Sequence, residues 1–356
     1  MVTADLDREL ASSVAALVAA GRLPAAATAV TIAGTWRPAP DGEPASYATA
    51  VTFEIGRLAA IAPVTLAAAL AEWLRALPWI KAAGPSGDGY LTITVTPQAQ
   101  AASAAWMVMA GLTCAQSTIL RGAPATVGPW PNPATATSWR HAWREQADAM
   151  IGRLAQAAGA SATVLSERER GTTGEPPARS LQPPVHAAVA YFGVDSVRYR
   201  LARTLPDEAA RPSRIVRPGL RTADPLYPVQ HAHAAAASTL RWAGELQLDK
   251  PDPGERTGEL LRSPAERTML GLLSFLPVRV AAAARRGRPD ELPRYLERLS
   301  AGWLECQQAA PALPFGGQAA ARDPYVVSAR LLLAGAVAAA LAAGLALTGI
   351  AAVDRL

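Results

Sequence analysis

Cysteine, histidine and lysine are scarce in this chain of 356 residues. The two cysteines, Cys114 and Cys306, stand far apart and form no CxxC. That spacing excludes a disulfide framework and a thiolate zinc site, and it fits a reducing cytoplasm. His231 and His233 lie two apart, so on a helix they point to different faces and cannot form an i, i+4 metal pair. No metal and no cofactor is therefore expected. No Ser-His-Asp or Cys-His constellation stands out, and no pair of carboxylates has a partner base. Gly84-Pro-Ser-Gly-Asp-Gly89 lacks the spacing of a dinucleotide fingerprint, and no helix follows it. Lys81 and Lys250 are the only lysines; every other basic residue is arginine, a bias that base composition explains. Asp5, Asp7 and Glu9 precede the first apolar run with no basic segment before them, so no signal peptide is expected.

What the chain does have is hydrophobic residues, 50% in all, much of it alanine. Its length allows two or three cores, with helices that alanine favours but specifies weakly. A net charge of +5 and a pI near 9.5 favour a polyanionic partner. Leu331 to Val353 carries no charge and is long enough to span a bilayer. Ten of its 23 residues are alanine and three are glycine, and no aromatic belt or basic cluster follows. A buried terminal helix is expected there, not a membrane span.

Residues 1–20 read as a helix with Leu6, Leu10, Val14, Leu17 and Val18 on one face and Gly21 as its stop. Thr28 to Ala33 reads as a strand, and Arg37 to Pro44 as a loop. Val51 to Leu77 reads as two helices broken near Pro63. Tyr90 to Val95 alternates as a half-buried strand. Together these predict an α+β domain over residues 1–112. Ser138 to Gly159 reads as one amphipathic helix, with Trp139, Trp143, Met150, Ile151 and Leu154 as core candidates. Glu167 to Pro184 is polar and proline-rich, a loop by composition. Beyond Val185 the pattern is helical, with boundaries at Pro225, Pro264, Pro277, Pro289 and Pro324.

Several ordered motifs resemble the arginyl-tRNA synthetases. Tyr47-Ala48-Thr49-Ala50 resembles that family's Asp-Tyr-Ala-Thr-Asn helix start. Phe192-Gly-Val-Asp-Ser-Val-Arg-Tyr199 resembles its Gly-Val-Asp-Ala-Ala-Arg-Tyr. Asp224-Pro-Leu-Tyr-Pro-Val-Gln-His-Ala-His-Ala234 resembles its Asn-Pro-Val-Tyr-Tyr-Val-Gln-Tyr-Ala-His-Ala. Leu292 to Trp303 is similar to the helix before its Cys-Pro-Val-Leu loop, here Ala310-Pro-Ala-Leu313. Gly349-Ile350 through Arg355-Leu356 resembles its terminus. The resemblance implies a fold that is mostly α: an α+β N-terminal domain leaning on the tRNA elbow, and a C-terminal helical bundle of the class I synthetase anticodon-binding type. It divides the chain into residues 1–112, a vestigial catalytic remnant and linker over 113–190, and the anticodon-binding bundle over 191–356.

The catalytic body between these ends is reduced. Pro131-Asn132-Pro133 resembles the family's approach to ATP, but the following His-x-Gly-His aligns with Ser138-Trp139-Arg140-His141. Ser138 replaces a histidine, and Arg140 puts a long side chain where the nucleotide needs a close backbone approach. Asn132, Ser138 and His141 are thus the degenerate remnant of the motif. No lysine lies between Lys81 and Lys250 to meet the transferring phosphates, and Arg179-Ser180 lacks the second motif. Only some 20 residues separate the two remnants, too few for a doubly wound fold.

The resemblance implies a tRNA-binding protein without catalytic residues. Tyr227, Gln230 and His231 are placed where the bundle meets RNA, and Arg241 lies further along the same helix. Arg294 and Arg298 are four apart beside the basic turn Arg285-Arg286-Gly287-Arg288 and are candidate phosphate contacts. Trp303 is a candidate for base stacking, against a core role on the face of Leu292, Tyr295, Leu296 and Leu299. The expected partner is tRNA, arginine tRNA foremost. A protein partner for a synthetase-shaped adaptor, and a residual aminoacyl-transfer enzyme, are the alternatives. No DNA and no membrane partner is expected.

Overall fold

A computed structural model describes residues 1–39, 45–164, 184–205, 224–248, 252–313 and 323–356. Arg179, Ser180 and Lys250 lie outside the described residues, as does almost all of the polar stretch 167–184. Two compact units arise, each from non-consecutive segments. One comprises Met1–Met109, Leu246–Val278 and Cys306–Ala336; the other comprises Ala110–Glu245, Arg279–Glu305 and Val337–Leu356. The three consecutive blocks expected above follow chain order. The boundaries of the two compact units fall within long helices.

The first unit opens with α1 (Val2–Ala19), which buries Leu6, Leu10 and Val14. It ends because Gly21 takes a φ of 70°, which lets the Arg22 N–H reach the Leu17 carbonyl at 2.9 Å. Four antiparallel strands follow: β1 (Arg37–Pro38), β2 (Ser46–Thr49), β3 (Ile80–Ser86) and β4 (Tyr90–Val95). They are ordered β1-β2-β4-β3, and β4 buries Leu91, Ile93 and Val95 on one face. Helices α2 (Val51–Ala59) and α3 (Pro63–Leu74) break at Pro63, which starts α3 without needing an N–H donor. Beyond α4 (Pro97–Ala110), this unit takes in α9 (Thr257–Leu260) and α10 (Pro264–Ser274). Tyr47 is fully buried; its hydroxyl meets Ser274 Oγ at 2.8 Å and its ring lies 5.1 Å from Phe275. Strand β2 is thus tied to residues some two hundred positions away.

The second unit contains a feature the sequence reading did not foresee. Strands β5 (Pro124–Val127) and β6 (Ser161–Val164) pair in parallel, joined by α5 (Trp139–Ala157). This is a single βαβ unit. Helices α6 (Val185–Phe192), α7 (Val194–Arg203) and α8 (Leu226–Glu245) follow, and three more run through it: α11 (Leu276–Arg286), α12 (Glu291–Ala309) and α13 (Pro324–Ala346). Side chains from α5, α7 and α8 converge on backbone carbonyls. Trp143 donates to Thr204 O at 3.2 Å, buried Gln146 to Thr348 O at 2.9 Å, and Tyr199 to Pro293 O at 3.1 Å. His233 is buried with Nδ1 3.0 Å from Val353 O.

Thr28 to Ala33 is not a strand. Ala25–Ala29 forms a 3₁₀ turn, held by the Thr28 hydroxyl donating to Ala25 O at 2.8 Å, and Arg37–Pro38 supplies the edge strand instead. The five prolines do sit at helix starts or at turns: Pro225 precedes α8, Pro264 and Pro324 open α10 and α13, Pro277 lies in the first turn of α11, and Pro289 lies in the turn before α12. By length and composition α13 could cross a membrane, yet 61% of its most apolar stretch is buried within the protein. Both thiols are buried and inert: burial pushes Cys114 and Cys306 up to about 12.

Candidate nucleic-acid interface

Asn132 and Ser138 lie between β5 and α5, and His141 lies in the first turn of α5. The Asn132 side chain accepts the Ala134 N–H at 3.1 Å, opening a 3₁₀ turn. Ser138 is the N-cap of α5 and accepts the His141 N–H at 3.1 Å. Ser138 thus has a local structural use. The His141 ring is held at both nitrogens, with Thr137 Oγ1 3.2 Å from Nδ1 and Glu145 3.6 Å from Nε2. Arg140 is exposed. A cavity of about 700 Å³ runs beside this helix. Pro124–Thr126, His141, Arg144, Glu145 and Asp148 are among its lining residues, with Ala284 and Arg285. Burial raises the Asp148 carboxyl above its ordinary value, against the opposing pull of Arg144. Among the described residues no group of three metal-ligating side chains occurs.

The candidate RNA residues fall on α8 and around the α11–α12 turn. On α8, Tyr227 is 42% exposed, and its ring stacks on that of His231 at 5.8 Å with 6° between planes. They are four apart, one helical turn, so the stack is built by the helix itself. Gln230 is half-buried beside them. Arg241 is drawn back onto its own helix: its guanidinium donates to Ser238 Oγ at 2.9 Å and lies 3.9 Å from Glu245. Beneath the start of α8, Asp224 accepts from the Ser196 hydroxyl and pairs with Arg200 at 3.7 Å. This anchors the end that presents Tyr227.

Arg298 is exposed on α12, and Arg294, half-buried, lies 3.5 Å from Asp290. Trp303 does not belong to the surface. It is 2% exposed, on the face that buries Leu292, Leu296 and Leu299, and its indole N–H has no partner. Its helical phase, not its aromatic character, decides its place. Trp303 is therefore a core residue and cannot stack on a base as placed.

Two residues escaped the sequence reading. Trp242 is 54% exposed and lies fifteen residues beyond Tyr227, about four turns along α8. Counting at 100° per residue puts Tyr227, His231 and Trp242 within one narrow stripe. Arg279 is half-buried on α11, seven residues before Arg286 and so on the same face. Helical arithmetic on either helix would have found both.

Comparison with known proteins finds the following likenesses. The profile of the DALR anticodon binding domain matches residues 229–356. An arginine–tRNA ligase from Frankia alni is 34% identical over 211 residues, covering 59% of this chain and 36% of the relative. One from Micrococcus luteus is 34% identical over 173 residues, covering 47% and 30%. The solved arginyl-tRNA synthetase of Thermus thermophilus aligns with a TM-score of 0.36 at 22% identity, covering 65% of this chain and 41% of that one. The chain thus spans about a third of the length of the curated relatives it matches. The chain is therefore similar to arginine–tRNA ligases over part of their length, and its residues 229–356 match the DALR anticodon binding domain.

Proposed function

We propose that the protein binds tRNA in the cytoplasm through the outer face of α8 and the basic α11–α12 turn, without activating an amino acid itself. The observation that carries this reading is the exposed Tyr227–His231 stack at the start of α8. Tyr227 lies just before the segment that matches the anticodon-binding domain, and His231 lies within it. Exposed stacked rings offer a π-face to an unpaired base, and a base–aromatic stack contributes roughly 1–3 kcal/mol. Arginines on the same unit supply contacts to phosphate.

The non-catalytic part of the proposal rests on the first ATP motif. Its one surviving histidine is engaged by Thr137 and Glu145, and Arg140 stands where the nucleotide needs no side chain. No lysine lies between Lys81 and Lys250. The only parallel sheet among the described residues has two strands. ATP–pyrophosphate exchange with arginine and arginine tRNA present is expected to stay at background, and exchange above background would remove this part of the reading.

Tyr227→Ala is expected to weaken arginine-tRNA binding by roughly fivefold to a hundredfold, with Tyr227→Phe near wild type. Filter binding at fixed salt reads this directly. Equal affinities for wild type and Tyr227→Ala would place the RNA elsewhere.

A further inference from the structure

The turn between α11 and α12 sets two arginines against each other. Gly287 reverses the chain at a φ of 60°, and the Arg288 N–H reaches the Ala283 carbonyl at 2.9 Å. Arg286, the last residue of α11, donates to both carboxylate oxygens of Glu291, the first of α12, at 3.1 Å. These two residues therefore stand level at the closed end of a helical hairpin. Arg279 lies seven residues before Arg286, and Arg298 lies seven residues after Glu291. Seven residues are close to two full turns, about 10.5 Å along either helix. Arg279 and Arg298 thus return to the same side of the hairpin at the same height.

Their neighbours contact carboxylates directly, and they do not. Arg286 holds Glu291, Arg288 holds Asp290 at 2.8 Å, and Arg294 lies 3.5 Å from the same Asp290. Neither Arg279 nor Arg298 makes a hydrogen bond or ion pair with a described residue. Arg279 is half-buried, and buried Tyr295 lies close to it. Burial lowers the Arg279 pKa, and the charge of Arg298 lowers it further. Tyr295 and Glu291 pull the other way, but Glu291 is already held by Arg286. Two neighbouring guanidiniums with no carboxylate in direct contact are stabilised by an anion that bridges them.

We propose that Arg279 and Arg298 together form a binding site for one phosphate group, filled by a backbone phosphate when tRNA is bound. The identity of the phosphate as part of an RNA rests on the reading above; the site itself does not. The fork-shaped donor set of arginine can grip a pair of phosphate oxygens.

The test uses the full chain with Arg279→Gln, Arg298→Gln and the double substitution. Affinity for arginine tRNA is measured from low to physiological salt. Each single variant is expected to reduce the slope of log K against log salt by about 1, with the same fold loss for an unrelated tRNA. The double variant is expected to lose no more slope than a single one, since both arginines meet one phosphate. Unchanged slopes, or single losses that add in the double variant, would overturn the shared site while leaving tRNA binding intact. A second arm compares thermal unfolding in inorganic phosphate and in chloride at equal ionic strength. Phosphate is expected to raise the melting temperature of the wild type and not of Arg298→Gln, an exposed position whose variant should fold. If the wild type binds no tRNA, the reading of function fails and this arm decides the site: protection lost in Arg298→Gln upholds it, and no protection overturns it.

Discussion

Glu266→Ala is expected to lower the stability of the protein by about 3–5 kcal/mol, read by urea unfolding. Glu266 is 1% exposed near the start of α10. One carboxylate oxygen accepts the Ser263 N–H at 2.7 Å, and the other accepts from Arg330 Nε on α13 at 2.7 Å. Arg330 also donates to Pro311 O at 3.1 Å, so one guanidinium ties α13 to α10 and to the end of α12's loop. Removing the carboxylate leaves that guanidinium with its main partner gone inside the protein, and leaves the Ser263 N–H without its acceptor, one half of the capping box. The magnitude comes from this uncompensated charge and not from the intrinsic strength of the pair. Accordingly Glu266→Leu combined with Arg330→Met is expected to recover most of the loss. A double variant as unstable as the single one would mean that the hydrogen bonds to Ser263 and Pro311, not the charge balance, hold this corner.

Gly152→Ala is expected to destabilise the second unit by roughly 1–3 kcal/mol or more, although alanine is the better helix former by about 1 kcal/mol. A Cβ at Gly152 would lie 2.0 Å from the Thr126 carbonyl oxygen and 3.0 Å from its carbon. Both are backbone atoms of β5, so no side-chain rotation relieves the clash, and α5 must move off the strand. Gly244 on α8 is the control, because nothing lies within 4 Å of its added Cβ. There the same substitution is expected to stabilise by a few tenths to 1 kcal/mol. Opposite signs for the two substitutions, measured in one urea series, would confirm that close helix–strand contact outweighs propensity at Gly152. Two gains would show that α5 is not seated on β5 as described.

Long elements were legible in the sequence because their signals are repeated. The 4-residue spacing of Leu6, Leu10 and Val14 fixes α1, and the alternation of Tyr90 to Val95 fixes β4. The prolines mark helix boundaries because a missing N–H is tolerated only there. Short strands carried no such signal. Pro124–Val127 and Ser161–Val164 have four residues each and lie among prolines, glycines and alanines, so their parallel pairing is set by the α5 crossover and not by their own pattern. Non-local ties were equally silent: nothing in the sequence near Tyr47 announces Ser274.

The site was half legible for a related reason. Tyr227 and His231 were found through a motif and do lie on the surface as a stacked pair. Trp303 was chosen for its aromatic ring, and its helical phase buries it. Arg279 carried no motif, and its importance appears only when α11 and α12 are laid antiparallel. Residue type proposes a contact; phase and topology decide whether the side chain can make one.

The most direct test of this account is binding of the full protein to arginine tRNA and to an unrelated tRNA, at low and at physiological salt. The account predicts binding that weakens linearly in log salt, with arginine tRNA held more tightly at both salts because bases as well as phosphates are contacted. No measurable affinity for either tRNA even at low salt would contradict it, and would turn the outer face of α8 toward a protein partner.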